Sequence, residues 1–183
     1  RDVAYLLLQA TDQARLLGGE PTLPPEVVPL AESVLRRGRR LLVFSNGLMP
    51  EHALSWVEKV PAEAGGGRIT GSPHGSNKQR ETLVRLGRLA TLGFNIHTPV
   101  FQPDFLLDLI RRCDLSPTIR FGLAHPCVDA FNVYLHPKHY DAVGSQLAVF
   151  AAKAQSSGVQ LQFDCGFVPC MFPAGFLASG LID

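Results

Sequence analysis

The sequence predicts an α/β fold of parallel strands, wound as an open sheet or a partial barrel. Three observations carry this reading. Short apolar runs alternate with helix-length amphipathic segments, the pattern of repeated βα units. Gly, Pro, Asn and Ser punctuate the boundaries between them. Polar and glycine residues gather where the apolar runs end, which is where parallel α/β folds place their sites. The chain has 183 residues, 46% of them hydrophobic and 18% charged, enough for one domain with a sizeable core and no tendency to disorder.

The segment from Asp2 to Ala14 reads as a helix, and Arg15 to Leu17 as a strand ending at Gly18-Gly19. "PPEVVPLAESVLRRG" carries Val27, Ala31, Val34 and Leu35 on one helical face, with Pro25 near its start and Gly38 just past its end. "RLLVFS", from Arg40 to Ser45, is a buried strand closed by the polar turn Ser45-Asn46-Gly47. "PEHALSWVEKV" is a helix, Gly65 to Gly67 a loop, and "RITG" a short strand. Residues 79–92 place Leu83, Leu86, Leu89 and Ala90 on one helical face, closed by Gly93. "FNIHTPV" is a strand, "PDFLLDLIRRC" a helix and "TIRFGL" a strand. Lys138 to Ser156 is mostly helix, and "VQLQFDC" is the last of six strands.

Several function classes lose their usual signatures. A net charge of +1, with no basic block longer than "RRGRR", disfavours a charge-driven nucleic-acid binder. No apolar stretch approaches the ~20 residues of a membrane span, and no signal peptide is evident at the start. Neither a Gly-x-Ser-x-Gly elbow nor a phosphate-binding P-loop occurs. Four cysteines in a chain without secretory character suit a reduced, cytoplasmic setting.

The stretch "RLLGGEPTL" asks for an explanation. Two adjacent glycines bare the backbone at a strand end, and Pro21 biases Glu20 toward an extended shape beside them. Backbone carbonyls and a carboxylate so placed suit an amine-bearing ligand. A tight strand-to-helix turn with a solvated glutamate is the other reading of the same residues.

"LLGGEPTL", a helix, then "LLVFSNG" resembles the second and third βα units of the radical S-adenosylmethionine (SAM) superfamily, over roughly residues 2–165 as βα order. The resemblance implies a partial (β/α) barrel of parallel strands with its first core strand missing. It implies a core over 1–163, and over 164–183 the start of a cysteine-containing auxiliary-cluster extension. It also implies reductive cleavage of SAM at a four-iron four-sulfur cluster, starting radical chemistry on a small-molecule or peptide substrate with a reductant protein as partner. Gly18, Gly19, Glu20 and Pro21 would grip the SAM amine, with Ser45 and Asn46 near its ribose or carboxylate. Ser72, with His74, would offer polar groups at the fourth strand, His97 at the fifth, and Gly122 with Leu123 would receive the adenine. Cys165 and Cys170 would begin an auxiliary iron–sulfur site, two free thiols being the plainer reading. No CxxxCxxC loop occurs and no cysteine precedes Cys113, so the chain reads as an inactive fragment of such an enzyme.

A second reading is a non-redox α/β binding or zinc-dependent hydrolytic domain using His125, Cys127, His136 and His139, whose nitrogen and sulfur donors suit zinc. Only His136 and His139 are spaced as a close ligand pair, and packing or surface roles are the alternative for all four. Cys113 reads as a small buried residue. An uncovered strand edge where the first strand is missing would favour self-association.

Overall fold

The computed structural model describes residues 11–60, 65–70 as backbone alone, 76–126, 133–164 and 166–179. The chain divides into two compact units, the first comprising Arg1–Thr91 with Arg112–Ser116 and the second Leu92–Arg111 with Pro117–Asp183.

In the first unit, β1 (Gln13–Leu16), β2 (Arg40–Ser45) and β3 (Gly65–Thr70) pair in parallel in the order β1-β2-β3. The register sets Ala14 against Leu41, and Val43 against both Leu16 and Gly67. Strand alternation turns Leu41, Val43 and Ser45 inward, whereas Leu42 and Phe44 are only half-buried. The buried row packs on α1 (Val27–Leu35), whose Val27, Ala31 and Val34 recur at helical spacing. Gly38, at a φ of +66°, lets the chain reverse out of α1 into β2, and Arg40 N–H donates to the Asp12 carbonyl at 2.9 Å. The helix α2 (Glu51–Val57) buries Ala53 and Leu54. The helix α3 (Asn77–Leu86) starts at a reciprocal cap, in which the Ser76 hydroxyl accepts from Gln79 N–H and the Gln79 side chain accepts from Ser76 N–H.

The second unit holds β4 (Ala90–Ile96) from Leu92 onward, with β5 (Thr118–Leu123) and β6 (Gln160–Phe163), parallel in the order β4-β5-β6. Leu106 and Ile110 of α4 (Asp104–Cys113) are buried, as are Val143, Leu147, Phe150, Ala151 and Ala154 of α5 (Tyr140–Ser156). Fully buried Phe121 sits 5.9 Å from Phe94, 5.8 Å from Phe150 and 6.1 Å from Phe163, between ring centroids. Gly144 marks a close approach in this unit: a Cβ there would lie 1.8 Å from the Met171 carbonyl oxygen, so no larger residue fits. A short helix, α6 (Ala174–Leu177), follows. Among the described residues, no helix is long and apolar enough to cross a membrane.

The expected partial barrel is not formed. Closing a sheet requires tilted, staggered strands whose last member returns to the first. Here each strand set is linear, and neither is closed or curled. With no barrel, there is no first core strand to count as missing. Local boundaries also shift. Gln13 and Ala14 belong to a strand rather than to a helix. Gly65 to Gly67, expected as a loop, form the start of β3, because pairing with Leu41 to Val43 outweighs the poor strand preference of glycine. The helix expected over 79–92 stops at Leu86, since Gly87 takes a φ of +48° and Ala90 opens a strand.

Candidate functional site

Beyond β1 the backbone passes through Gly18 at a φ of +96° and Gly19 at +42°, a region that disfavours side chains. Space is not the reason for the pair, since a Cβ on either would meet nothing within 4 Å. The turn delivers Glu20 to the end of β2. One carboxylate oxygen accepts from Thr22 N–H at 3.2 Å and from the Thr22 hydroxyl at 2.5 Å. The other accepts from the Ser45 hydroxyl and from Asn46 N–H, both at 2.8 Å. Four donors fill the roughly four acceptor positions of a carboxylate.

The network continues outward. Ser45 Oγ also accepts from Gly47 N–H at 3.0 Å, and Asn46 Oδ1 accepts from Leu48 N–H at 2.8 Å. The Asn46 carbonyl accepts from Gln79 Nε2 at 2.7 Å, joining the β2 turn to the capped start of α3. Glu20 thus ties the ends of β1 and β2 together, while Gln79 holds the same turn from the helix side.

Thr22 and Ser45 are almost fully buried, with exposures of 2% and 6%. Both line an apolar cavity of about 50 Å³ whose walls include Ala31, Val43, Ala53 and Trp56. The sequence pointed to Ser45 but missed Thr22, whose hydroxyl meets the Glu20 carboxylate two residues away. It also missed Trp56, the chain's single tryptophan. The cavity exists because α1 and α2 present alanines to it.

In the second unit, Gly122 lies in a tight row: a Cβ there would come within 2.6 Å of Asn95 Oδ1. Leu123 is buried. Arg120 pairs with Asp164, a contact the sequence did not suggest. His97 is exposed, with Nδ1 3.4 Å from the Asn95 carbonyl oxygen. Ser72, His74, Cys127 and Cys165 lie outside the described residues. Cys170 is an exposed free thiol. Cys113 is partly buried, and desolvation raises its pKa, which disfavours the reactive thiolate.

The cofactor expectations fail on these residues. Among the described residues, no group of three or more His, Cys, Asp or Glu side chains could hold a metal ion. This overturns the four-iron four-sulfur cluster, and an auxiliary cluster at Cys170 with it. SAM loses the cluster iron it would chelate, and Glu20 has its acceptor positions occupied by its own chain. Nothing among the described residues supports the zinc-dependent alternative either, and its Cys127 lies outside them. His136 instead serves as a cap, its Nδ1 accepting from Lys138 N–H at 3.2 Å in the turn that leads into α5. No family model, no curated protein and no solved structure matches the chain. The unclosed strands and the lack of a metal-holding group among the described residues therefore contradict both the expected radical SAM superfamily and the radical oxidoreductase activity that came with it.

Proposed function

We propose that the first unit is a binding domain for a small apolar molecule, seated in the cavity beside Trp56. One observation carries this reading. Thr22 and Ser45, the buried polar side chains of the lining, are both turned to the Glu20 carboxylate, leaving a hollow with apolar walls and a fixed polar end. An apolar cavity of ~150 Å³ takes benzene, so a hollow of about 50 Å³ admits only a smaller guest, of the size of a xenon atom or a one-carbon molecule. At ~24 cal/mol per Å³, leaving about 50 Å³ empty costs the fold roughly 1 kcal/mol, which an occupant returns. Gly18 to Pro21 act here as the turn that brings Glu20 to Thr22 and Ser45 of the lining, and the Asn46 carbonyl links that turn to α3 through Gln79.

Trp56 makes the test direct. Titration with xenon under pressure, or with methanol, is expected to change tryptophan emission to saturation. Ala53→Leu, which fills the hollow from a helix face, is expected to abolish that change while leaving the far-ultraviolet circular dichroism unchanged. A wild-type protein that stays folded and shows no saturable response to either of these probes would reduce the cavity to a packing gap.

A further inference from the structure

The second unit carries a larger hollow that the first reading does not use. A groove of about 340 Å³ lies beside α5 and the segment entering α4, lined by Phe101, Asp104, Gln146, Val149, Phe150 and Lys153. Its volume falls within the range that holds small ligands. Its chemistry is divided. Phe101, Val149 and Phe150 supply an apolar wall, and Val149 is 64% exposed although it is a large aliphatic residue. Lys153 Nζ donates to both Asp104 oxygens, at 3.1 and 3.0 Å, with the two side chains 53% and 62% exposed. Gln146 spends its amide N–H groups on the Pro99 and Ala142 carbonyls, at 2.7 and 3.2 Å, and its own oxygen has no donor among the described residues.

From this arrangement we propose that the groove binds a free α-amino acid with an apolar side chain. A cation and an anion held side by side match a zwitterion, whose carboxylate meets Lys153 and whose ammonium meets Asp104. An exposed pair is worth only ~0–1 kcal/mol, so exchanging it for two ligand contacts costs little. The Gln146 oxygen offers an acceptor for a further ammonium proton. The aliphatic or aromatic side chain of the ligand covers Val149 and Phe101, removing apolar surface from water. The charges supply orientation, and the apolar wall supplies most of the affinity.

Calorimetric titration of the full chain with leucine and phenylalanine tests this, with 4-methylpentanoate and 3-methylbutylamine as probes that lack one charge each. Saturable binding of the amino acids is expected, about threefold tighter than either half-charged probe. Lys153→Ala and Asp104→Asn are each expected to weaken leucine binding about threefold. Because Asp104 opens α4 and its loss could act through the helix, Val149→Glu serves as an independent variant. It lies on the exposed face of α5, should leave the melting curve unchanged, and is expected to abolish binding. Absence of saturable heat with both amino acids overturns the proposal. So does unchanged affinity in Lys153→Ala and Val149→Glu.

Discussion

Replacing Glu20 by alanine removes one acceptor group from four donors at once. Asn46 N–H can turn to water, but Thr22 and Ser45 are buried, and a buried hydroxyl without its partner costs ~1–3 kcal/mol. Glu20→Ala is therefore expected to lower stability by about 2–4 kcal/mol, read as a lower urea midpoint. Glu20→Gln keeps the shape and one oxygen but turns an amide N–H₂ toward the remaining donors, and its midpoint should fall between those of the wild type and the alanine variant. An unchanged midpoint in the alanine variant would mean that Glu20 is a bystander at the turn. Part of this residue's setting was legible in advance. The paired glycines and the proline announced a special turn, and Thr22 is a neighbour in sequence. The hydrogen bond to Ser45, 25 residues away, was not, because it depends on parallel pairing of β1 with β2 in a particular register.

At the level of elements, α2 and α3 are joined by a charged fork. The Arg85 guanidinium donates to Glu51 at 2.7 and 2.9 Å and to Glu58 at 2.7 and 3.0 Å. These bonds, with a further one from Ser55, pull the Glu51 pKa from the ordinary 4.5 to about 2, and hydrogen bonding to Arg85 lowers that of Glu58 as well. A carboxyl whose folded-state pKa is depressed stabilises the fold above its unfolded value and loses that contribution as pH falls through the folded one. The urea midpoint should thus decline between about pH 4.5 and pH 2, and Arg85→Gln should flatten that part of the profile. Added salt should weaken the effect too, since all three side chains reach solvent. A wild-type profile identical to that of Arg85→Gln would show that the fork is decorative.

For the whole molecule, what the sequence disclosed and what it hid divide by range. The bounds of β2 and β5 follow directly from compact apolar runs, and those runs needed no partner to be read. Gly65 to Gly67 were misread because a glycine triplet has no pattern of its own and takes its conformation from β2. The barrel was misread for a related reason. Gly18 to Pro21 specify a turn, and a turn is compatible with many sheets, whereas curvature is set by stagger across every strand pair. Cavities are harder still, since the one beside Trp56 depends on how closely α1, α2 and β2 approach once alanines face the gap.

The uneven distribution of aromatic rings has a practical consequence. Trp56 lies in the first unit, and Phe44 is the only one of the eleven phenylalanines assigned there. The ring cluster around Phe121, and Phe101 and Phe150 of the groove, all lie in the second. Each half of the chain therefore carries its own optical label. Xenon should perturb indole fluorescence and spare the sharp phenylalanine bands of the near-ultraviolet dichroism, and leucine should do the reverse, so one sample can report two occupancies without any added dye.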